Sequence, residues 1–399
     1  MTSTDLPVFP GEREARCPFN PPAEYTRWRD EEGLRRVDWN GHSVWAVSRY
    51  EDIKTAMSHP AISAEVLGVL QGNVKREGPG APQTFPRMDD PEHARLRRML
   101  TKDFTVKRVN AMRPDIEAMA GEFIDAMVAK GQPGDLVQDY ALPVPSMVIS
   151  LLLGVPYTDH EFFQTITGKL MNMYTPPEEK ARASREFFGY MLELVARKEK
   201  EPGDDLMSRV IREHVLTGEL SRETAAMNGQ ILLNAGHETT ANMIALGTVA
   251  LLENPDLAAL VRDTDDPNVL ANAVEELLRY LTIVHSLIAR IATQDVEIGG
   301  TLVKAGDGLI MNLSAGNWDP AFTADPGTLD LARPARGHLA FGYGVHQCLG
   351  QTLARAELQI ALPTLLRRLP ELRLAVPIED IRFRNDMSIY GVHSLPVNW

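Results

Sequence analysis

FGYGVHQCLG, residues 341–350, is the stretch that decides how the chain is read. Phe341, Gly344, Cys348 and Gly350 form the pattern Phe-x-x-Gly-x-x-x-Cys-x-Gly. Given 12 Phe, 29 Gly and 2 Cys in 399 residues, chance would produce it in roughly three of ten thousand such chains, against background composition. The residue types point to one chemistry. A lone cysteine can give one axial thiolate to a haem iron. Glycines let the backbone turn sharply and come close to a flat group. The helix predicted from Leu349 turns its amide end toward the sulfur, which favours the thiolate. Phe341 is placed to shield such a ligand from water.

Composition narrows the rest. The other cysteine, Cys17 in Arg-Cys-Pro-Phe, reads as a free thiol near a terminus. Two cysteines build neither a disulfide framework nor a zinc site, so a reducing, cytoplasmic setting is expected. A net charge of −13 argues against nucleic-acid binding. The first residues, MTSTDLPVFPGERE, lack the apolar core of a signal peptide. No apolar run approaches the roughly 20 residues of a membrane span.

Helical periodicity covers residues 90–101, 109–129, 158–173, 178–200, 222–253, 268–281 and 349–368. Alternation around Asn40-Gly41 predicts a hairpin within 37–47. A second strand group runs over 287–311 with a turn at Gly299-Gly300, and 372–399 reads as short strands and turns. The first and last strand groups are expected to pair. Residues 64–88, rich in Gly and Pro, form an irregular segment of the kind that makes binding loops or lids. Pro363 should kink or end the last helix near Leu362. The fold expected is mainly α with a smaller β region, as a single domain over 1–399.

The helix from Ser221, its predicted cap, would span roughly 48 Å at 1.5 Å per residue. Its middle, AGHETTAN (235–242), breaks the local rules. Gly236 costs a helix about 1 kcal/mol, and a buried Glu238 costs more unless paired. Such violations cluster at functional sites. A carboxylate and an alcohol can relay protons, and Thr239 can bond back to the carbonyl of Ala235 and open the helix.

Together, FGYGVHQCLG and AGHETTAN resemble the cytochrome P450 family, the haem-thiolate monooxygenases, in their soluble actinobacterial form. The likeness runs from about residue 5 to the end; DYALPVPSMVISLLLGVP (139–156) also resembles a haem-thiolate nitric oxide reductase branch. The resemblance implies the P450 fold, with haem b (iron protoporphyrin IX) between the long central helix and the cysteine-loop helix. It implies Cys348 as the iron ligand and Glu238 and Thr239 as the catalytic acid–alcohol pair. His93 and Arg97 (in PEHARLRR), Arg290 and His346 match the family's propionate positions, while Ala235, Phe341, Gly342 and Gly350 would lie against the cofactor. Glu276 and Arg279 in ELLR match a buried network whose third member would be Arg333 in DLARP; its job would be to position the cysteine loop. The stretch AGNWDP (315–320) departs from the family, with Trp318 where Arg is usual and Gly316 where Ala is common.

The implied reaction inserts one oxygen atom from dioxygen into a small lipophilic molecule, by hydroxylation or epoxidation. No Gly-x-Gly-x-x-Gly opens a βαβ unit, so a ferredoxin and its reductase are the implied electron source. A basic cluster, Arg95, Arg98, Lys102, Lys107 and Arg108, with Arg355 near it, is the expected docking face. A monomer with no membrane partner is expected. The rivals are a nitric oxide reductase, which would not need the Glu238–Thr239 pair, and a non-enzymatic haem-binding or sensing protein. The substrate pocket is expected from 64–88, 158–200, 231–235, 283–289 and 387–390.

Overall fold

The computed structural model describes residues 6–14, 16–66 and 84–399. Most of the segment expected as a lid, 67–83, lies outside the described residues. The chain forms two compact units, one of residues 1–81, 86–91 and 264–348, the other of 82–85, 92–263 and 349–399.

The first unit is built on a five-stranded sheet. Arg35–Trp39 and His42–Val47 form the hairpin. Asn40 and Gly41 both take positive φ, 53° and 81°, as a two-residue type I′ turn requires. Gly299 and Gly300, at 54° and 76°, close the ribbon Val296–Ile298 with Thr301–Val303 in the same way. His42–Val47 runs parallel to Gly308–Met311, which pairs antiparallel with Ala289–Ala292. The first strand group therefore pairs with the middle one. The expected pairing with the chain's end does not occur among the described residues: Pro396–Asn398 pairs with Gly134–Asp135 and Arg373–Leu374, in the second unit. Both faces of Gly308–Met311 are buried, which is the demand a central strand places on its neighbours and alternation alone does not reveal.

Helix Pro267–Leu281 carries Glu276 and Arg279, both fully buried. Arg279 grips Glu276 through Nε and Nη2 at 2.7 and 2.8 Å, and Arg333 Nε adds a bond at 3.2 Å. Arg279 Nη1 also donates to the carbonyl of Asn317 at 3.1 Å. The Asn317 side chain in turn accepts the N–H of Leu339, two residues before Phe341. The three-residue network expected from the sequence thus exists, and through Asn317 it reaches Leu339, just before the cysteine segment. Trp318 is accommodated: its indole N–H donates to the Tyr280 carbonyl at 2.9 Å and its ring stacks on Tyr280 at 5.1 Å. Gly316 sits in close packing: a Cβ there would lie 2.6 Å from the Cδ1 of Ile53 and 2.9 Å from the Cδ1 of Leu339, so those side-chain ends would have to shift.

The second unit packs helices around Arg222–Leu252. Ser221 caps it by accepting the N–H of Thr224 at 3.1 Å. Pro143–Leu153 packs against it; this helix is buried on nearly all sides, so it lacks the apolar stripe that announces a surface helix. Gln351–Arg368 continues through Pro363 to Arg368 rather than ending near Leu362. It packs against helices Val106–Lys130 and Arg222–Leu252 and buries Ala361, Leu362, Leu365 and Leu366, and that burial outweighs one missing hydrogen bond. Among the described residues no single helix is long and apolar enough to cross a membrane; Arg222–Leu252 with Pro255–Asp263 passes such a test only as a pair bent by 117°.

Candidate active site

In the first unit the cysteine loop is closed by its own backbone. Cys348 N–H donates to the Phe341 carbonyl at 2.9 Å, Gln347 N–H to Gly344 at 3.0 Å, and Gly342 N–H to Leu339 at 2.8 Å. Gly342 and Gly344 have φ of 71° and 72°, a region L side chains avoid. A Cβ at Gly344 would also lie 3.1 Å from the Met57 carbonyl. The glycine frame thus serves the turn first. Phe341 is half-buried, with its ring 5.8 Å from that of His338. Cys348 is exposed, as is Cys17, and neither forms a disulfide.

Arg290, on strand Ala289–Ala292, is 6% exposed. It donates to the Ala289 carbonyl at 2.8 Å, and among the described residues it makes no ion pair. Burial pushes its guanidinium down to about 10, against a weaker opposing effect of Asp89. A buried cation in that state fits an anionic group brought from outside. His346 is half-buried in the turn Gly344–His346.

In the second unit His93 and Arg97 lie one turn apart on helix Glu92–Thr101. His93 is buried, its ring stacked 6.2 Å from Phe85, and Arg97 is half-buried. Gly350 is the residue before the first turn of Gln351–Arg368. On the long helix, Ala235 is exposed although Leu232, Leu233, Asn234 and residues 240–251 are buried. Thr239 Oγ1 donates to the Ala235 carbonyl at 2.7 Å, the back-bond expected from the sequence. Of the pocket segments, Met387, Ile389 and Tyr390 are buried and Leu287 is exposed.

Gly236 has a packing role. A Cβ at this position would sit 2.7 Å from Ile149 and 3.1 Å from its Cβ. The helix cost of this glycine is offset by close approach to Pro143–Leu153. His237 is fully buried and bridges helices: Nδ1 lies 2.7 Å from the Leu233 carbonyl and Nε2 3.0 Å from Thr167 Oγ1. Burial pushes its pKa down, so the ring is neutral, donating from Nδ1 and accepting at Nε2.

Glu238 has a partner that sequence reading did not find. Arg384 grips it with both guanidinium ends, Nη2 to Oε1 at 2.9 Å and Nη1 to Oε2 at 3.2 Å, and Nη1 reaches Asn242 Oδ1 at 3.0 Å. Burial pushes the Glu238 carboxyl up, but the charge and hydrogen bonds of Arg384 outweigh it, and the net shift is down. Glu238 is therefore a carboxylate at neutral pH. Arg384 lies 146 residues away in sequence, on a segment with no periodicity to mark it.

These groups fit a haem. Cys348, held in its backbone-closed turn, offers a single sulfur donor of a kind that a porphyrin-held iron takes. Arg290 meets the need for a buried cation, and Ala235 leaves the middle of a core helix open.

A model of the cytochrome P450 family matches residues 29–373. The chain is 50% identical over 401 residues to cytochrome P450-SU2 of Streptomyces griseolus, covering 99% of this chain and 98% of that one. The crystal structure of GfsF superposes with a TM-score of 0.88 at 47% identity, covering 98% of this chain and 100% of the other. The mycinamicin VIII C21 methyl hydroxylase MycCI of Micromonospora griseorubida, bound to mycinamicin VIII, gives 0.91 at 38% identity, covering 99% and 100%.

Replacing Gly236 by Ala is expected to cost about 1–3 kcal/mol through overpacking. Ile149→Ala in the same chain should recover most of it, because the two side chains compete for one space. Denaturant midpoints of the two single variants and the double variant check this; additive losses would contradict it.

Proposed function

The chain belongs to the cytochrome P450 family and has its fold, and from that premise we propose that it hydroxylates or epoxidises a small lipophilic molecule with electrons from a ferredoxin. It is an oxidoreductase, a cytochrome P450 monooxygenase that uses haem iron. The single observation carrying the finer reading is the mid-helix pair, a buried Glu238 beside a Thr239 whose hydroxyl bonds back to Ala235. The MycCI relative, a methyl hydroxylase bound to mycinamicin VIII, supports oxygen insertion into C–H bonds of lipophilic compounds.

We take residues 1–399 as one functional domain, since the family model runs through both units. Haem b would be held by Cys348, with His93, Arg97, Arg290 and His346 meeting its propionates and Ala235, Phe341, Gly342 and Gly350 lying against it. A thiolate-ligated haem activates dioxygen and favours O–O cleavage. The protein's task is to orient the substrate, exclude water and move protons. Glu238 holds and releases the proton, and Thr239 Oγ1 passes it on. A cytoplasmic setting fits two cysteines, too few for a disulfide framework.

The basic segment is less positive than its sequence suggests. Arg95 pairs with Glu92, Lys102 with Glu213 at 3.0 Å, and Arg108 lies 3.9 Å from Asp204. Among the described residues Arg98 and Lys107 make no ion pair, and both are exposed. They are the cations left to meet an acidic ferredoxin.

Thr239→Ala should keep haem and substrate binding but divert electrons into peroxide or water, and Glu238→Gln should slow turnover by about 10²-fold. Product and peroxide per electron measure both; unchanged product per electron in Thr239→Ala contradicts the relay. For the docking face, Arg98→Glu with Lys107→Glu should slow ferredoxin-driven haem reduction, and rising salt should slow the wild type. The exposed swap Arg182→Glu with Lys200→Glu serves as control. Equal slowing by the two pairs would reject this face.

A further inference from the structure

Helix Pro267–Leu281 ends on a residue ill suited to its backbone. Thr282 has φ 37° and ψ 75°, a left-handed conformation that a β-branched side chain takes only under strain. Gly or Asn would hold the same turn with less strain. Among the described residues three non-glycine residues have positive φ, and Thr282 is the β-branched one. It is fully buried. Such a conformation persists only where the surroundings over-determine it, and it marks positions where strain has a use.

The hydroxyl is what threonine brings to this position. It donates to the Arg279 carbonyl at 2.7 Å and accepts an N–H of Asn317 Nδ2 at 2.8 Å. The other end of the Asn317 amide accepts the Leu339 N–H at 2.6 Å. Asn317 and Leu339 are both fully buried. The Leu339 carbonyl accepts the Gly342 N–H, and the Phe341 carbonyl accepts the Cys348 N–H. One side-chain amide thus ties the helix end to the cysteine loop. From the N-terminal segment, Arg13 Nη2 donates to the carbonyls of Leu281 and Thr282, each at 3.4 Å, and so pins the helix end itself.

On its other side Thr282 leads into residues 283–288, the segment read above as pocket lining, which runs to strand Ala289–Ala292. Ser286 Oγ accepts the Trp39 indole N–H at 3.2 Å, and the Ile288 carbonyl accepts the Met311 N–H at 2.9 Å. Leu287 stands between these two ties and is 41% exposed. The segment is anchored at its far end, so a push on Leu287 is felt at Thr282. A strained residue resists such a push poorly, because its left-handed well is small and other backbone wells lie lower.

We propose that Thr282 is a positioning residue that couples ligand contact at 283–288 to the cysteine loop. A ligand packed on this segment favours the strained Thr282 backbone, and only a ligand that binds the two backbone states unequally shifts the balance between them. In the strained state the hydroxyl stays on Asn317, and Asn317 holds Leu339 and the loop behind it. With the pocket empty the Thr282 backbone relaxes more often, its hydroxyl leaves Asn317, and the loop keeps only its other ties. Cys348 is therefore presented most rigidly when a ligand is in place. The proposal rests on the reading above that haem sits on Cys348 and that 283–288 lines the pocket.

Amide hydrogen exchange of the holoenzyme reads this coupling without turnover. Two probes are compared: imidazole, which occupies the iron alone, and 4-phenylimidazole, which adds a ring above it. In the wild type the second probe should slow exchange at Leu339, Gly342 and Cys348 at least twofold relative to the first, and should slow the amides of 283–288 as well. Thr282→Ser keeps the hydroxyl and should keep the twofold difference at the cysteine loop. Thr282→Val keeps the shape without the hydroxyl and should lose it, while 283–288 still slows. Thr282→Gly removes hydroxyl and strain together; it should also lose the difference, and it carries the test where Thr282→Val does not fold. A role confined to stability would speed exchange under both probes alike and leave their ratio unchanged, which would overturn the coupling. Equal exchange with the two probes in the wild type would overturn it too. No change of the absorption spectrum with either probe would instead reject the haem reading, and the coupling with it.

Discussion

A buried carboxylate, Glu276, organises the unit that presents the cysteine. With no exposure it would be unfavourable by several kcal/mol if left alone. Two guanidinium groups and the N–H of Asp330 satisfy it. Arg279 and Arg333 spend their remaining donors on carbonyls between Asn317 and Thr328. One charge thereby fixes a whole irregular segment, and Asn317 passes that fixity to Leu339 and the cysteine loop. The loop needs such support, because two of its glycines hold backbone conformations that no local helix or strand would maintain.

Glu238 and Arg384 form a second buried pair of the same chemistry with a different setting. The first network is satisfied by protein groups. The second borders a cavity and leaves Arg384 Nε without a protein partner. Saturated ion networks specify one structure, whereas a pair bordered by water can change its protonation and its partners. The contrast separates a carboxylate fixed by protein groups alone from one that borders a cavity.

The sequence exposes what local physics controls. Amphipathic helices appear at their positions within a few residues, because burial of one face writes a period into the chain. Asn40-Gly41 and Gly299-Gly300 mark their turns because few other residues take positive φ. The cysteine loop, the Thr239 back-bond to Ala235 and the network including Arg333 are legible from residue types at fixed spacing. Features that depend on distant partners are not. Arg384 looks like any charged residue until the fold carries it to Glu238, and Gly236 reads as a helix defect until Ile149 is seen beside it. Pro143–Leu153 hides because full burial erases periodicity. The helix through Pro363 and the pairing of the last strands were set by tertiary packing against local expectation.

The claim that Cys348 supplies the iron's thiolate ligand is tested most directly by the absorption spectrum of the reduced carbon monoxide complex. Wild-type protein and Cys348→Ser would be compared at equal haem content. The account predicts the red-shifted thiolate band in the wild type and its loss in the variant. A variant that keeps the band would contradict the assignment, and with it the reading of the loop that Glu276 holds in place.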